Sequence, residues 1–445
     1  MLSNPWAGLG LLMALLLAML VVIRAAASRF PLTPEDTRKL AHIGLGLSTL
    51  SFPVLFRSVW PVAVLVVATI AVLAAMRWVP AVRDRWGDVV DGVPRRTGGS
   101  LYFPIAAGLL FVVADGNPIT FGIPILTLTF ADAAAALIGV RYGRISIRAG
   151  EEPKTIEGSI AFLTIAFLTT HIPLLLFTST GRLESLLIAV VFGLLVMMLE
   201  AVSLRGTDNL LIPFGGYLLL DAFLRKSAPE LIAALIVIVV LLGVVLVLRK
   251  QRTLSDTAML AGVLLCFVSW AAGGWRWVIP PLTLFLTYTV FWPRRSHVRQ
   301  RPHELAAVVS VSSGMLWLLA AFVLDIPDLY YPYTISFAAH MCFIGITWYR
   351  LARPRQNPLV SLVLSVLVAW LALFIPFLII ERGSNTVGAE AAFALISLFV
   401  ASAIFTRFVP YERGGHTRWM THSLIGLAAS ALGLVMVPAA LGILQ

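Results

Sequence analysis

Long apolar runs separated by short polar loops dominate this chain of 445 residues. Residues 9–23, 185–199 and 231–248 contain no charged side chain. A helix needs about 20 apolar residues to cross the hydrocarbon core of a bilayer, and a helix satisfies its own backbone hydrogen bonds there. The pattern therefore predicts an all-α fold, a polytopic integral membrane helical bundle.

Sixteen apolar segments can be distinguished, so we expect about 14–16 transmembrane helices, with boundaries soft by a few residues. The segments are residues 6–27, 40–56, 59–78, 101–115, 118–140, 158–178, 184–203, 209–224, 230–248, 256–272, 276–292, 304–324, 332–350, 358–380, 388–406 and 419–443. They form two series, which predicts a first transmembrane domain at residues 1–250 and a second transmembrane module at 251–445. The chain shows no clear internal repeat.

Composition excludes a soluble protein and argues against nucleic acid as a partner. Charged residues are 12% of the chain and hydrophobic residues 59%, whereas soluble domains carry roughly 25% charged residues. The net charge of +11 is the excess expected when Lys and Arg are retained on the cytosolic side of a membrane. Cys266 and Cys342 lie in apolar runs, without disulfide or metal-ligand spacing.

Basic residues alternate between loops and predict the topology. Every second loop is basic: residues 24–39, 77–96, 141–154, 205, 249–252, 294–301, 350–355 and 407–418. By the positive-inside rule these loops are cytosolic and the N-terminus lies outside. We expect an integral protein of the plasma or inner membrane of a prokaryote. The short segment 209–224 could be re-entrant, but the charge alternation favours a crossing.

The first candidate polar element is a helix start at Thr33-Pro34-Glu35-Asp36, where a hydroxyl cap precedes proline and acids. Arg38, Lys39 and His42 follow in that helix, and residues four apart share a face. The simpler alternative is an interfacial anchor. In the next basic loop, Arg95 and Arg96 precede Gly98 and Gly99. Guanidinium groups and backbone N–H groups could surround an anion there, although a flexible basic loop is the default.

The strongest cluster lies between residues 130 and 162. Asp132 interrupts an apolar helix, and a carboxylate in a membrane normally has a partner or a task. Arg141, Arg144 and Arg148 follow, and Lys154 and Glu157 open the next helix, whose N–H groups attract phosphate. Carboxylates for a divalent cation and a lysine for phosphate are what phosphoryl transfer requires. The alternative is a small-residue packing seam at Ala131, Ala135 and Gly139 beside a basic loop.

A fourth element runs from Glu200 to Pro213. Asp208 either caps the following helix or contacts a metal ion or nucleotide, and the pattern leaves both open. Glu200 is interpreted as a side chain that snorkels to the membrane interface.

Together these elements resemble the CTP-dependent polyprenol kinase family of phytol, farnesol, dolichol and diacylglycerol kinases, with the phytol kinase branch nearest. The matching stretches, in order, are RKLAHIGLG at 38–46, GGSLYF at 98–103, ADAAAALIGVRYGR at 131–144, KTIEGSIAF at 154–162 and EAVSLRGTDNLLIP at 200–213. One departure is Ala131 before Asp132, where many members have glycine. Because the carboxylate is kept, we expect only a packing consequence.

The resemblance implies a membrane lipid kinase that transfers a phosphoryl group from CTP, or another nucleoside triphosphate, to a prenyl alcohol such as phytol, geranylgeraniol or farnesol. It implies a nucleotide and Mg²⁺ site that faces the cytosol. We expect catalytic roles for Asp132, Lys154, Glu157 and His42, and metal ligation by Asp132, Glu157 and Asp208. The residues expected to bind the nucleotide are Arg38, Lys39, Arg96, Gly139, Arg144 and Asn209.

Two other functions are weighed against the kinase. A CDP-diacylglycerol synthase shares the aspartate and the Lys-Thr-x-Glu-Gly stretch, but its Lys-Arg…Lys-Asp and His-Gly-Gly…Asp-Arg runs are missing from this sequence. A transporter would place its ionisable residues near the bilayer midplane and show repeats, whereas these candidates cluster at the predicted cytosolic ends of helices.

The second half carries fewer polar signals. Residues 254–291 resemble the opening of the phytyl-phosphate kinase-like membrane family, but the aspartate-containing helix expected downstream is missing. His340 and Glu390 are expected to be satisfied within the bundle. We therefore expect a degenerate or accessory module without chemistry of its own.

Overall fold

The computed structural model describes residues 4–91, 98–147, 154–204, 206–248, 254–291, 305–409 and 416–440. These residues form helices, their connecting loops and one two-stranded hairpin. The prediction of an all-α fold is confirmed.

The chain divides into two compact units, Met1–Ile236 and Val237–Gln445, where the sequence placed the boundary near residue 250. The helices of the first unit are α1 (Pro5–Arg29), α2 (Pro34–Thr49), α3 (Phe52–Leu55), α4 (Val59–Trp78), α5 (Pro80–Asp91), α6 (Gly99–Val113), α7 (Pro118–Leu126), α8 (Asp132–Tyr142), α9 (Ile156–Phe177), α10 (Arg182–Val202) and α11 (Asp208–Leu224). The division between the units falls within α12 (Ala228–Leu248). The second unit continues with α13 (Asp256–Gly273), α14 (Trp275–Phe291), α15 (Leu305–Val311), α16 (Met315–Leu324), α17 (Tyr330–Ala352), α18 (Pro358–Ile380), α19 (Val387–Phe408) and α20 (His416–Ala440).

Eleven helical segments of the described residues are long and apolar enough to cross a membrane, which makes the chain an integral membrane protein. The sixteen segments predicted from the sequence include five others, which correspond to α2, α6, α11, α14 and α17. The first four of these are 15 to 17 residues long. Hydropathy marks a segment as apolar, but the length of the helix that forms depends on its caps and turns.

The most buried of the eleven segments is α10, which packs against α9 and α11 in the first unit. Beside these helices an aromatic core gathers around Phe52, whose ring lies 6.2 Å from Phe56, 6.2 Å from Phe121 and 6.3 Å from Phe111. In the second unit, α17 is buried continuously from Tyr330 to Phe343 and packs against α18, α19 and α20. Each unit therefore has a central helix that is shielded from lipid by its neighbours.

A short antiparallel hairpin connects α8 to α9. Its strands are β1 (Ser146–Ile147) and β2 (Lys154–Thr155), with Ser146 opposite Thr155 and Ile147 opposite Lys154. The Thr155 hydroxyl accepts a hydrogen bond from the Gly158 N–H, 3.1 Å away, and so caps α9. The hairpin and the cap fix Lys154 directly before the first turn of α9.

Candidate active site

A capping box fixes the start of α2, as the sequence predicts. The Thr33 hydroxyl accepts from the Asp36 N–H at 3.2 Å, and the Asp36 carboxylate accepts from the Thr33 N–H at 2.9 Å. The Thr33 hydroxyl also donates to Asp36, at 2.7 Å. These hydrogen bonds from Thr33 lower the pKa of Asp36. With its first turn fixed, α2 presents Lys39 and His42 at defined positions.

Lys39 and His42 converge on Asp132. Lys39 Nζ donates to Asp132 Oδ2 at 2.6 Å, and both side chains are largely removed from solvent, with 4% and 14% exposure. His42 Nε2 lies 3.7 Å from the same oxygen. The carboxylate that the sequence placed inside an apolar helix therefore has a cationic partner, as an intramembrane charge requires.

A π-helical turn, Thr127–Ala131, precedes Asp132 and separates α7 from α8. His42 Nε2 lies 3.2 Å from the Leu128 carbonyl oxygen, to which the tautomer protonated at Nε2 donates. Short π turns inside α-helices frequently mark functional sites. The turn changes the direction in which the following residues project, and so it contributes to the placement of Asp132 beside α2.

A second ion pair joins Lys154 to Glu200 at the end of α10. Lys154 Nζ lies 2.8 Å from Glu200 Oε1 and also donates to the Glu200 backbone carbonyl. The Lys154 and Glu200 side chains are 14% and 12% exposed. The sequence offered snorkelling to the interface as the simple explanation of Glu200; the structure gives this side chain a partner, Lys154.

Asp208 and Asn209 begin α11 and complete the polar cluster. Asp208 Oδ1 and Asn209 Oδ1 are buried and have no hydrogen-bond partner. Thr207, at the N-cap position, forms no side-chain capping bond. Asp208, in the first turn, leaves a carboxylate oxygen unpaired, so capping does not account for its buried side chain. Buried polar atoms without a partner are uncommon in proteins and call for an explanation such as a ligand.

Burial raises the pKa of Asp208 to about 6, and the nearby Asp132 carboxylate acts in the same direction. Lys154 and Lys39 oppose this rise, and Glu200 adds to it. Asp208 therefore lies close enough to both ion pairs to interact with their charges. We call the seven residues Lys39, His42, Asp132, Lys154, Glu200, Asp208 and Asn209 the polar cluster.

The first turn of α6 lies against this cluster. A Cβ atom added to Gly99 would lie 2.7 Å from Asn209 Nδ2 and 3.3 Å from the Gly206 Cα. Only glycine therefore allows α6 to approach the loop before α11 so closely. Gly206 itself has a φ of 85°, in the left-handed region that favours glycine. The glycine pair noted in the sequence places the start of α6 beside Asn209.

The donor atoms suit a hard divalent cation. Asp132, Asp208 and Asn209 offer carboxylate and amide oxygens, and two of these oxygens lack partners. In the described part of the chain no three His, Cys, Asp or Glu side chains are grouped closely enough to form a complete metal site. Mg²⁺ is commonly held by one or two carboxylates together with substrate phosphates and water. The residues present fit a cation that arrives with a nucleotide.

An apolar cavity adjoins the polar cluster. At one end its lining includes Arg38, His42, Ser100 and Asn209. The rest of the lining is almost entirely apolar and comes from α1, α2, α4 and α6: Met13, Leu16, Leu17, Met19, Leu20, Ala41, Leu45, Thr69, Val72, Leu73, Gly99 and Phe103. The polar cluster therefore meets a space suited to an apolar molecule with a polar end.

Some residues expected at the site lie elsewhere. Glu157 is half-buried, and its carboxylate accepts a hydrogen bond from the Ile145 N–H at 3.4 Å rather than a contact with Asp132 or Asp208. Arg144 is exposed beside the hairpin and interacts with Glu157. Gly139 faces α9, where an added Cβ would lie 3.1 Å from Thr155 Oγ1. Arg96 lies outside the described residues. These four expectations stay predictions.

Two polar residues of the second unit, His340 and Glu390, have hydrogen-bond partners within the unit. His340 Nδ1 lies 2.8 Å from the Ser336 carbonyl oxygen, but its Nε2 has no hydrogen-bond partner. Glu390 accepts a hydrogen bond from the Thr386 hydroxyl at 2.9 Å. The expectation that both are satisfied within the bundle holds for Glu390 and only in part for His340.

Comparison with known proteins gives one informative relative. No family model matches the chain, and no solved structure matches it. A phytol kinase of the cyanobacterium Synechocystis sp. is 30% identical over 225 residues, which are 49% of this chain and 94% of the relative. The alignment therefore covers nearly the whole of a phytol kinase with about half of this chain. The chain belongs to the prenol kinase family that this phytol kinase represents.

Proposed function

We propose that the protein transfers the terminal phosphoryl group of a nucleoside triphosphate to the hydroxyl group of a prenyl alcohol. The observation that carries the proposal is the position of the polar cluster, which contains two buried ion pairs and borders an apolar cavity. Such a border lets a charged nucleotide and an apolar alcohol meet. The similarity to a phytol kinase supports the same reaction class.

Basic residues of the site would bind the phosphates. Lys39 and Lys154 lie within the cluster, and Arg38 lines the adjoining cavity. In phosphoryl transfer the protein acts mainly by positioning the reactants and stabilising charge on the phosphate oxygens. On nucleotide binding, Lys39 and Lys154 would exchange part of their interaction with Asp132 and Glu200 for phosphate oxygens.

Asp132 and Asp208 would hold Mg²⁺, with Asn209 as a further oxygen donor. The cation would supply positive charge that offsets the negative charge of the nucleotide phosphates. Lys39 orients the Asp132 carboxylate by its hydrogen bond, and the unpartnered Oδ1 of Asp208 is free to bind a cation.

His42 would accept the proton of the alcohol. Its ring lines the cavity and its Nε2 lies 3.7 Å from Asp132 Oδ2, so His42 connects the apolar cavity to the polar cluster. Among the residues considered as the base, Glu157 does not line the cavity and Asp132 is engaged with Lys39. His42 is therefore the better placed candidate.

The nucleotide and the orientation follow from the sequence. The ordered motifs resemble CTP-dependent kinases, so we take CTP as the donor. The alternation of basic loops places the site on the cytosolic face, with the N-terminus outside, in the plasma or inner membrane of a prokaryote. A cytosolic site has access to soluble nucleotides, and the alcohol reaches it from the lipid.

The experiment uses purified protein with each γ-labelled nucleotide in turn and a panel of phytol, geranylgeraniol, farnesol, dolichol and diacylglycerol. Label in the lipid extract shows a kinase. A cytidylyltransferase would instead form a CDP-lipid and release pyrophosphate, and a transporter would leave no label in lipid.

We expect Asp132→Asn to lower turnover by about 100-fold or more, as loss of a group that stabilises transition-state charge does. Asp221→Asn is the matched control, because Asp221 pairs with Arg225 at the surface. Both variants should elute from gel filtration as the wild type does. Near-normal turnover in Asp132→Asn contradicts the assignment of this carboxylate.

A further inference from the structure

The apolar cavity of the first unit adjoins a second, smaller cavity. The two share Leu16, Leu45, Thr69 and Phe103 as lining residues. The second cavity adds residues of α1, α2, α4 and α6, together with Phe52 of α3: Leu12, Ser48, Thr49, Phe52, Leu65, Val66, Pro104 and Ala107. The two cavities therefore adjoin at these four shared residues; together they are called the channel, and the shared residues its junction.

The channel runs along α1 and α2. On α2 its lining extends from Arg38, at the polar end, to Thr49, at the far end. At 1.5 Å per residue these positions are about 16 Å apart along the helix. On α1 the lining runs in the opposite direction, from Leu20 to Leu12. The length suits an extended hydrocarbon chain and exceeds what a short alcohol would occupy.

Two hydroxyl groups of α2 line the far part of the channel, and both already have hydrogen-bond partners. Ser48 Oγ donates to the Gly44 carbonyl and Thr49 Oγ1 to the Leu45 carbonyl, each at 2.8 Å. These hydroxyls are satisfied within their own helix, and the remaining wall residues are apolar apart from Thr69. The channel is therefore polar at the cluster end and apolar beyond it, which matches a lipid with a single polar head.

We propose that the channel holds the tail of the prenyl alcohol and that the junction residues Leu16, Leu45, Thr69 and Phe103 determine which tail lengths are accepted. This inference rests on the proposed function and adds the determinants of its specificity. The hydroxyl lies beside His42 and Arg38, the tail passes the junction, and only tails longer than the first cavity reach the second. A bulky side chain at the junction should prevent long tails from binding, whereas short tails should still bind.

Two substitutions on different helices test the junction: Thr69→Phe on α4 and Leu16→Phe on α1. For geraniol, the short probe, kcat/KM should stay within about twofold of wild type, while for phytol it should fall by about 10-fold or more, as loss of fit in an apolar pocket allows. Val67→Phe is the matched control, because Val67 lies two positions from Thr69 and is 66% exposed. Val67→Phe should change kcat/KM for neither geraniol nor phytol. Retained geraniol turnover also shows that the variants fold.

A binding measurement separates this inference from the proposed function. A prenyl chain with a terminal diazirine should label wild-type peptides that contain Leu12 or Phe52, and the label should shift away from them in Thr69→Phe. If the wild type binds the probe there but phosphorylates no alcohol, the proposed function fails and the channel stands. Unchanged phytol turnover in both junction variants, or equal loss for geraniol and phytol in both, overturns the inference.

Discussion

The Lys39–Asp132 ion pair is the residue contact on which the site depends. Both charges are nearly removed from solvent, so each is tolerated only because the other is present. Sequence reasoning identified both residues as functional and did not pair them, since they are 93 positions apart. Only the folded chain brings these two residues together.

We expect Lys39→Met to destabilise the protein by about 3–5 kcal/mol, because it leaves the Asp132 carboxylate buried without its partner. The double variant Lys39→Met/Asp132→Asn removes both charges and should recover much of that loss. Thermal unfolding in detergent measures stability, and labelled phosphate in lipid measures turnover.

Both variants should be inactive, because the double change restores packing without restoring a phosphate-binding charge. If the double variant were as unstable as Lys39→Met, the ion pair would not be the source of the loss. If Lys39→Met kept its turnover, Lys39 would have only a structural role.

Glu200 is the cluster residue that the sequence did not assign to the site. Its partner Lys154 lies 46 positions away, in the hairpin before α9. A glutamate that ends an apolar helix is the usual sign of an interfacial side chain, and the same pattern arises when the partner comes from another helix. A search for acid–base pairs at the same predicted membrane depth would have suggested this pairing.

At the scale of single elements, the capping box at Thr33 and Asp36 holds the first turn of α2, where Arg38, Lys39 and His42 follow. We expect Thr33→Ala to cost about 0.5–2 kcal/mol, the usual loss for a hydroxyl cap. It should also raise KM for the nucleotide, because the start of α2 frays. Thr33→Ser keeps the hydroxyl and should behave as the wild type does. Equal stability of Thr33→Ala and Thr33→Ser would refute the role of the cap.

The packing of α8 on α9 depends on glycine. A Cβ atom at Gly158 would lie 2.8 Å from the Ala135 carbonyl oxygen and 3.4 Å from the Gly139 Cα. We expect Gly158→Ala to cost about 1–3 kcal/mol, since helix backbones must move apart. Gly10→Ala in α1 is the control, because nothing lies within 4 Å of an added Cβ there.

That control should be neutral or stabilise by about 0.5–1 kcal/mol, the usual gain from replacing a helical glycine. Apparent melting temperatures in detergent compare the two variants. If Gly158→Ala were as stable as Gly10→Ala, the close approach of the helices would not be required. Because Lys154 and Asp132 lie next to this seam, turnover should fall with stability.

At the scale of the whole molecule, the first unit contains every residue of the polar cluster and of the channel. The phytol kinase relative aligns over 225 residues that make up 94% of its length. About half of this chain therefore has no counterpart in that relative.

We expect a chain truncated after Arg252 to bind nucleotide and phosphorylate prenyl alcohols with kcat/KM within about 10-fold of the full chain. Full-length protein in the same detergent is the reference, and gel filtration reports folding. A truncated protein that folds and binds nucleotide but phosphorylates nothing would show that residues 253–445 take part in the reaction.

The sequence by itself determined the class of the protein, most of its helices and the residues that could do chemistry. Hydropathy is a local property, so runs of apolar residues predicted the membrane helices. Five of the sixteen predicted segments form helices that are not among the eleven candidate membrane spans of the described residues. The cap of α2 was predictable for the same reason, since Thr33 and Asp36 are three residues apart. Lys39, His42, Asp132, Lys154, Asp208 and Asn209 stood out because polar residues are costly beside apolar segments.

Only the tertiary structure decided which of these residues meet. The Lys39–Asp132 and Lys154–Glu200 pairs join distant parts of the chain, and the π turn before Asp132 has no clear signature in its residues. Glu157 stood in a motif beside Lys154, yet its side chain turns to the Ile145 backbone. Helix packing sets these contacts, and packing depends on side-chain shape across several helices at once. The same holds for the channel, which exists only where α1, α2, α4 and α6 leave space between them.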